Sequence, residues 1–219
     1  GVQTCALPIS QIVDLRLHLS DFDQQAGHLE SARDRLRPVV EPARLVAEAT
    51  QASPNDRQLF RKLLGKLGTI HDQLEEKHLA AECWMALRAS AKSDPELQPL
   101  YARLKPVVAG VLPATPLECL ALASQALSVW EVEIAQRLYQ TALEREPQLV
   151  ENRQHLFGYQ AARVNLLCAG QQSDPDSEIA VKLRQDALSR LQFELRSWQR
   201  SEEHTSELQS PCNLVCRLL

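Results

Sequence analysis

Glycine occurs only seven times and methionine once in this chain of 219 residues, and aromatic residues make up 5% of it. β-Branched and aromatic residues rarely cluster or alternate, which removes the usual signals of strands. No long basic run appears and the net charge is a mild −4, so nucleic acid is not a favoured partner. No apolar stretch approaches the ~18 residues of a membrane-spanning helix. No Ser/His/Asp or Cys/His set is spaced for nucleophilic catalysis. Glu131 and Glu133 fall on different faces of a helix, which weakens an acid/base pair. His71 and His78 are separated by the turn at Gln73–Glu76, which argues against a shared metal.

Both ends have an unusual character. Arg200–Ser210 and Asn213–Leu219 resemble the translation of a short-read sequencing adapter, and Gly1–Ile9 resembles the same DNA read on the opposite strand. Segments of that origin are set aside before reasoning about a fold. Residues 1–9 and 200–219 are therefore expected to be adapter-derived and poorly docked, although 202–209 could extend the last helix. The natural part, 10–199, is expected to be a piece of a longer protein. Cys5, Cys212 and Cys216 then carry no meaning. Cys83, Cys119 and Cys168 lie far apart in apolar stretches. They read as small buried hydrophobes of a reduced, cytoplasmic protein rather than a disulfide framework or zinc site.

What is abundant is Ala, Leu, Gln, Glu and Arg, all good helix formers. Spacing and breakers predict helices over Ser10–Gln25, Leu29–Thr50 (interrupted near Pro38 and Pro42), Gln58–Leu74, Glu76–Lys92, Glu96–Val111, Leu117–Leu127, Glu131–Glu146, Leu149–Ala169 and Glu178–Gln199. Ser53-Pro54 and Thr115-Pro116, with Glu118, read as helix starts. Leu36, Val39, Val40, Leu45 and Val46 are expected inward. Ile179, Leu183, Leu188, Leu191, Leu195 and Trp198 are expected to form one apolar face. The Leu112–Pro116 stretch divides the interior into 10–112 and 113–199. The fold class is all-α.

A motif recurs within this pattern. Leu122-Ala123, Ala135 and Tyr139, and a closing Pro147, match Leu67-Gly68, Ala80 and Trp84, and Pro95. Leu19-Ser20, Ala32 and Leu36 repeat it with the same offset as the second set. A small residue on each of two helices permits a close crossing, and the bulky residue fills the groove against the next helix. The pattern resembles that of tetratricopeptide repeats. The resemblance implies antiparallel hairpins stacked as a right-handed solenoid, with Leu67, Gly68, Ala80, Trp84, Leu122, Ala123, Ala135 and Tyr139 as packing residues. The stretch from Glu118 to Gln199, with Gly158-Tyr159-Gln160-Ala161-Ala162 and the terminal Ser197-Trp198, is similar to the C-terminal repeat regions of large bacterial serine/threonine protein kinases. None of the kinase signature motifs occurs in the chain.

The repeat resemblance implies a non-catalytic scaffold whose groove binds a protein or peptide, with no cofactor or metal. Its lining would come from first helices: Arg61, Lys62, Lys66 and His71 in one hairpin and Gln125 in another. The basic residues would suit an acidic peptide terminus. The kinase resemblance implies an alternative, a regulatory or substrate-recruiting tail whose catalytic domain lies elsewhere.

Overall fold

The computed structural model describes residues 8–151, 156–172 and 174–202. Among these, every regular element is helical and no strand occurs. In chain order they are α1 (Ile9–Gln25), α2 (Leu29–Leu36), α3 (Val40–Glu48), α4 (Pro54–Gln73), α5 (Lys77–Ser93), α6 (Gln98–Val108), α7 (Pro116–Ser128), α8 (Val132–Arg145), α9 (Phe157–Gly170) and α10 (Glu178–Glu202). Short 3₁₀ turns lie at Arg37–Val39, Pro95–Leu97 and Pro147–Glu151. The chain divides into two compact units, Gly1–Ala102 and Arg103–Leu219. No described helix is long and apolar enough to cross a membrane.

The helix ends follow local chemistry. Ser53 and Asp56 form a reciprocal capping box at the start of α4, and Thr115 and Glu118 form one at the start of α7. Each box satisfies two backbone N–H groups that the helix itself leaves unpaired, and Pro54 and Pro116 sit at first positions that need no N–H donor. Pro38 separates α2 from α3 by a 3₁₀ turn.

One turn geometry joins α1 to α2, α4 to α5 and α7 to α8. The residue after each C-cap, Gly27, Glu75 or Trp130, has a left-handed φ of 79°, 62° or 60°. The next residue then donates its N–H to a carbonyl five residues back: His28 to Asp23 at 2.8 Å, Glu76 to His71 at 2.8 Å, and Glu131 to Ala126 at 2.9 Å. This is the Schellman arrangement, which satisfies carbonyls at the helix end. The same residue's carbonyl then accepts from Ala32, Ala80 or Ala135 at 3.0–3.1 Å. Only the first turn uses glycine. Glu75 and Trp130 take a backbone conformation that disfavours a side chain by roughly 1 kcal/mol, so packing around these turns must hold them there.

Each of these helix pairs buries a small residue on both of its helices. Ser20 and Ala32, Gly68 and Ala80, and Ala123 and Ala135 are all buried. Ser20 Oγ donates to the Ala32 carbonyl at 3.3 Å. At Gly68 the Trp84 ring lies so close that an added Cβ would sit 2.7 Å from its carbons. The bulky positions Leu36 and Tyr139 are buried and Trp84 is half-buried. In the second unit, α9 contributes Ala161, Ala162, Val164, Cys168 and Ala169 to the core.

Several sequence expectations fail here. The stretch Leu149–Ala169, expected as one helix, has a 3₁₀ turn at Pro147–Glu151 and a helix that begins at Phe157, after Leu156 with a left-handed φ of 48°. Leu45 is exposed, because α3 buries Ala43 and Ala47 instead. Ile179 and Leu188 are also exposed. The buried seam of α10 is Ala180, Ala187 and Glu194, spaced by seven, so small side chains rather than leucines let it approach α9. Ile9 is not loose: it opens α1 and lines a cleft with Val13, Ala43 and Phe60. The calls on residues 1–7 and 203–219, with Cys5, Cys212 and Cys216, lie outside the described residues.

The two glycines of α4 separate packing from propensity. A Cβ at Gly65 would meet its nearest neighbour, Leu87, at an ordinary 3.4 Å. Gly65→Ala is expected to stabilise the chain by about 0.5–1 kcal/mol through helix propensity. Gly68→Ala must displace Trp84 and is expected to destabilise it by about 1–3 kcal/mol. Denaturant melts followed by circular dichroism check both signs, and equal effects at the two sites would refute this packing.

Candidate functional site

The basic residues on α4 occupy distinct environments. Arg61 and Arg57, one helical turn apart, both point at Asp94, the residue that ends α5. Arg61 Nη1 lies 2.5 Å from Asp94 Oδ2 and Arg57 Nε lies 3.1 Å from Oδ1. Arg57 Nη1 also donates to the Ala52 carbonyl at 2.8 Å. Asp94 is fully buried. Its carboxylate accepts a third bond, from the Glu96 N–H at 3.1 Å, and so caps the turn at Pro95–Leu97. Burial alone would push the Asp94 carboxyl up. The Glu96 N–H and the charges of Arg61 and Arg57 outweigh it and hold the group below its ordinary value.

Lys66 turns toward α1, where it pairs with Asp21 and donates to Gln24. His71 Nδ1 lies 2.5 Å from Glu76 Oε2 in the following turn, and Glu76 also accepts from Arg33 Nη1 of α2 at 2.9 Å. The bond to His71 and the Arg33 charge hold the Glu76 carboxyl below its usual range against partial burial. In the second unit, Gln125 is exposed and accepts from Arg103 Nη1 at 3.0 Å.

Of the groove candidates, then, Arg61 and Lys66 are engaged in ion pairs that tie helices together, and His71 is hydrogen-bonded to Glu76. Lys62 points to solvent. The sequence reading missed Asp94 as the anchor of Arg61 and Arg57. Its signal was present in Ser93-Asp94-Pro95, which reads as a helix stop and a cap, but nothing in spacing reveals that two arginines far upstream share the same carboxylate.

Among the described residues, no group of three or more His, Cys, Asp or Glu side chains is placed to hold a metal ion. His78 is exposed on α5. Cys119 and Cys168 are buried and Cys83 is half-buried, all as free thiols. Burial, the largest influence in each case, raises the Cys119 thiol, pushes Cys83 up to about 11 and pushes Cys168 up to about 12. Thiols so far above neutral pH are poor nucleophiles. Compared with known proteins, the chain matches no family model, no curated protein and no solved structure.

Two measurements follow from these groups. Asp94→Asn leaves two largely buried arginines without a counter-charge and is expected to destabilise the chain by about 3 kcal/mol. The Asp94 carboxyl is depressed in the folded state, so its stabilisation is present above its unfolded value of about 3.9 and is lost as pH falls through the folded value. Acid unfolding curves of Asp94→Asn should therefore be flatter below about pH 4; an unchanged acid limb would refute the pairing. Secondly, peptide mapping after alkylation at pH 8 should show Cys119 and Cys168 modified slowly in the native chain and rapidly in denaturant. Rapid native modification would contradict their burial.

Proposed function

We propose that this chain is a non-catalytic protein–protein interaction module, built of hairpins of the tetratricopeptide kind stacked as a right-handed solenoid. The observation that carries this reading is the recurrence of one turn geometry at Gly27, Glu75 and Trp130 together with small-residue crossings at Ser20/Ala32, Gly68/Ala80 and Ala123/Ala135. Repeating hairpins bury their crossings and leave the outward faces of the first helices free to vary, which suits them to partner recognition. On those faces Lys62 and Gln125 are exposed, each on its own hairpin. A protein or peptide with acidic groups is the partner that Lys62 would favour.

A second reading is a regulatory tail of a bacterial serine/threonine kinase, favoured by the similarity of the Tyr159-Gln160-Ala161-Ala162 helix and the terminal Trp198 helix to those tails. The genomic sequence upstream distinguishes it, because kinase signature motifs there would support it and an unrelated domain or a stop would end it.

The interaction reading is tested by panning a random peptide display library on the full chain. Acidic sequences should be enriched, and their affinity should fall about tenfold with Lys62→Glu, a change of about 1.4 kcal/mol, while Lys182→Glu leaves it unchanged. No enrichment over an unrelated helical protein would refute it. So would turnover in kinase or hydrolase assays that disappears on one His or Glu substitution.

A further inference from the structure

The first two hairpins share a constant offset, which places Ile12, Leu15, Leu19 and Phe22 of α1 where α4 has Phe60, Leu63, Leu67 and Ile70. All eight are apolar, and within each helix they fall on one face by helical spacing. On α4 the four are buried, at 5%, 0%, 4% and 0% exposure. Gly65 and Gly68, round the helix from this face, meet Trp84 and Leu87 of α5. The face itself is covered by the preceding elements α1, α2 and α3, which pack on α4. On α1 the corresponding face has no such cover among the described residues: Ile12 is half-buried, and Leu15 is 55% exposed, Leu19 37% and Phe22 68%. α7 supplies the contrast, because the positions matching Leu63 and Ile70 there are Glu118 and Gln125, both exposed and polar.

Charge repeats with the apolar pattern. Lys66 of α4 reaches back to Asp21 and Gln24 on the preceding first helix. Its equivalent on α1 is His18, which is exposed and, among the described residues, meets Asp14 of its own helix: its Nδ1 lies 2.8 Å from the Asp14 carbonyl and 3.7 Å from the Asp14 carboxylate. The open face also runs directly into the established interface: Ile12 adjoins the buried Val13, which lines the α1, α3 and α4 cleft.

We propose that the outer face of α1 is a docking site for one further amphipathic helical hairpin of the same kind as α1–α3. Such a partner brings small and aliphatic residues against Ile12, Leu15, Leu19 and Phe22 and a carboxylate to His18. The proposal rests on the internal repeat of the hairpins and is independent of any peptide held near Lys62.

The test extends the full chain by one period, with residues 9–56 duplicated ahead of residue 9. The added hairpin should fold onto the original α1, raise Tm by several degrees, and protect the original segment 12–22 from hydrogen exchange. Leu15→Glu with Leu19→Glu in the original copy should abolish the gain. The same pair in the added copy, where that face is again outermost, should leave the gain intact. Both positions are solvent-exposed in the unextended chain, so its folding serves as the control. An added hairpin that exchanges like an unfolded segment, or a gain insensitive to the substitutions in the original copy, would overturn the proposal. Self-association of the unextended chain that is abolished by the same two substitutions, with no gain from the added hairpin, would instead assign the face to a second copy and overturn it as well.

Discussion

The close approach of paired backbones is the constraint on which the hairpins depend. Two helices cross at short range only where the side chains between them are small, and the chain supplies Ser20/Ala32, Gly68/Ala80 and Ala123/Ala135 for that purpose. Close crossing in turn demands a short connection, and the left-handed residue at Gly27, Glu75 or Trp130 reverses the chain at once. Because the turn satisfies helix-end carbonyls, little polar backbone is left to bury. The α9–α10 pair reaches the same end by another route: small residues on both helices but a longer connection over 171–177.

Charge is used inwardly as much as outwardly. Asp94 is buried with two arginines and a backbone donor, and Glu76 gathers His71 and Arg33. These clusters join elements remote in sequence, where exposed pairs would contribute little. A basic side chain on the first helix of a hairpin is therefore a poor guide to a binding surface, since its length lets it fold back onto a neighbour's carboxylate.

Much of the fold was legible in the sequence, because helix starts, breaks and small-residue positions are local facts. Ser53-Pro54, Thr115-Pro116 and Glu118 announce their caps directly, and the constant offset between Leu19 and Leu67 announces the repeat. The α10 face was not legible. Its leucines outnumber its alanines, so apolar counting selects Ile179 and Leu188, whereas the distance to α9 selects Ala180 and Ala187. Leu45 failed for the same reason, beside Ala43 and Ala47. The pairing of Arg61 was the least legible, since it depends on Asp94, which spacing does not connect to it.

The shared carboxylate of Asp94 has an entropic side. It joins the first two turns of α4 to the end of α5, and so closes the whole second hairpin at its open end, opposite the Glu75 turn. Loop-closure entropy is smallest for the contacts nearest the turn and largest for those at the mouth. By this measure the arginine clamp is the contact of the hairpin that costs most chain entropy to close. In the native state that clamp acts as a latch: parting the two helices at this end must break two charge-assisted bonds.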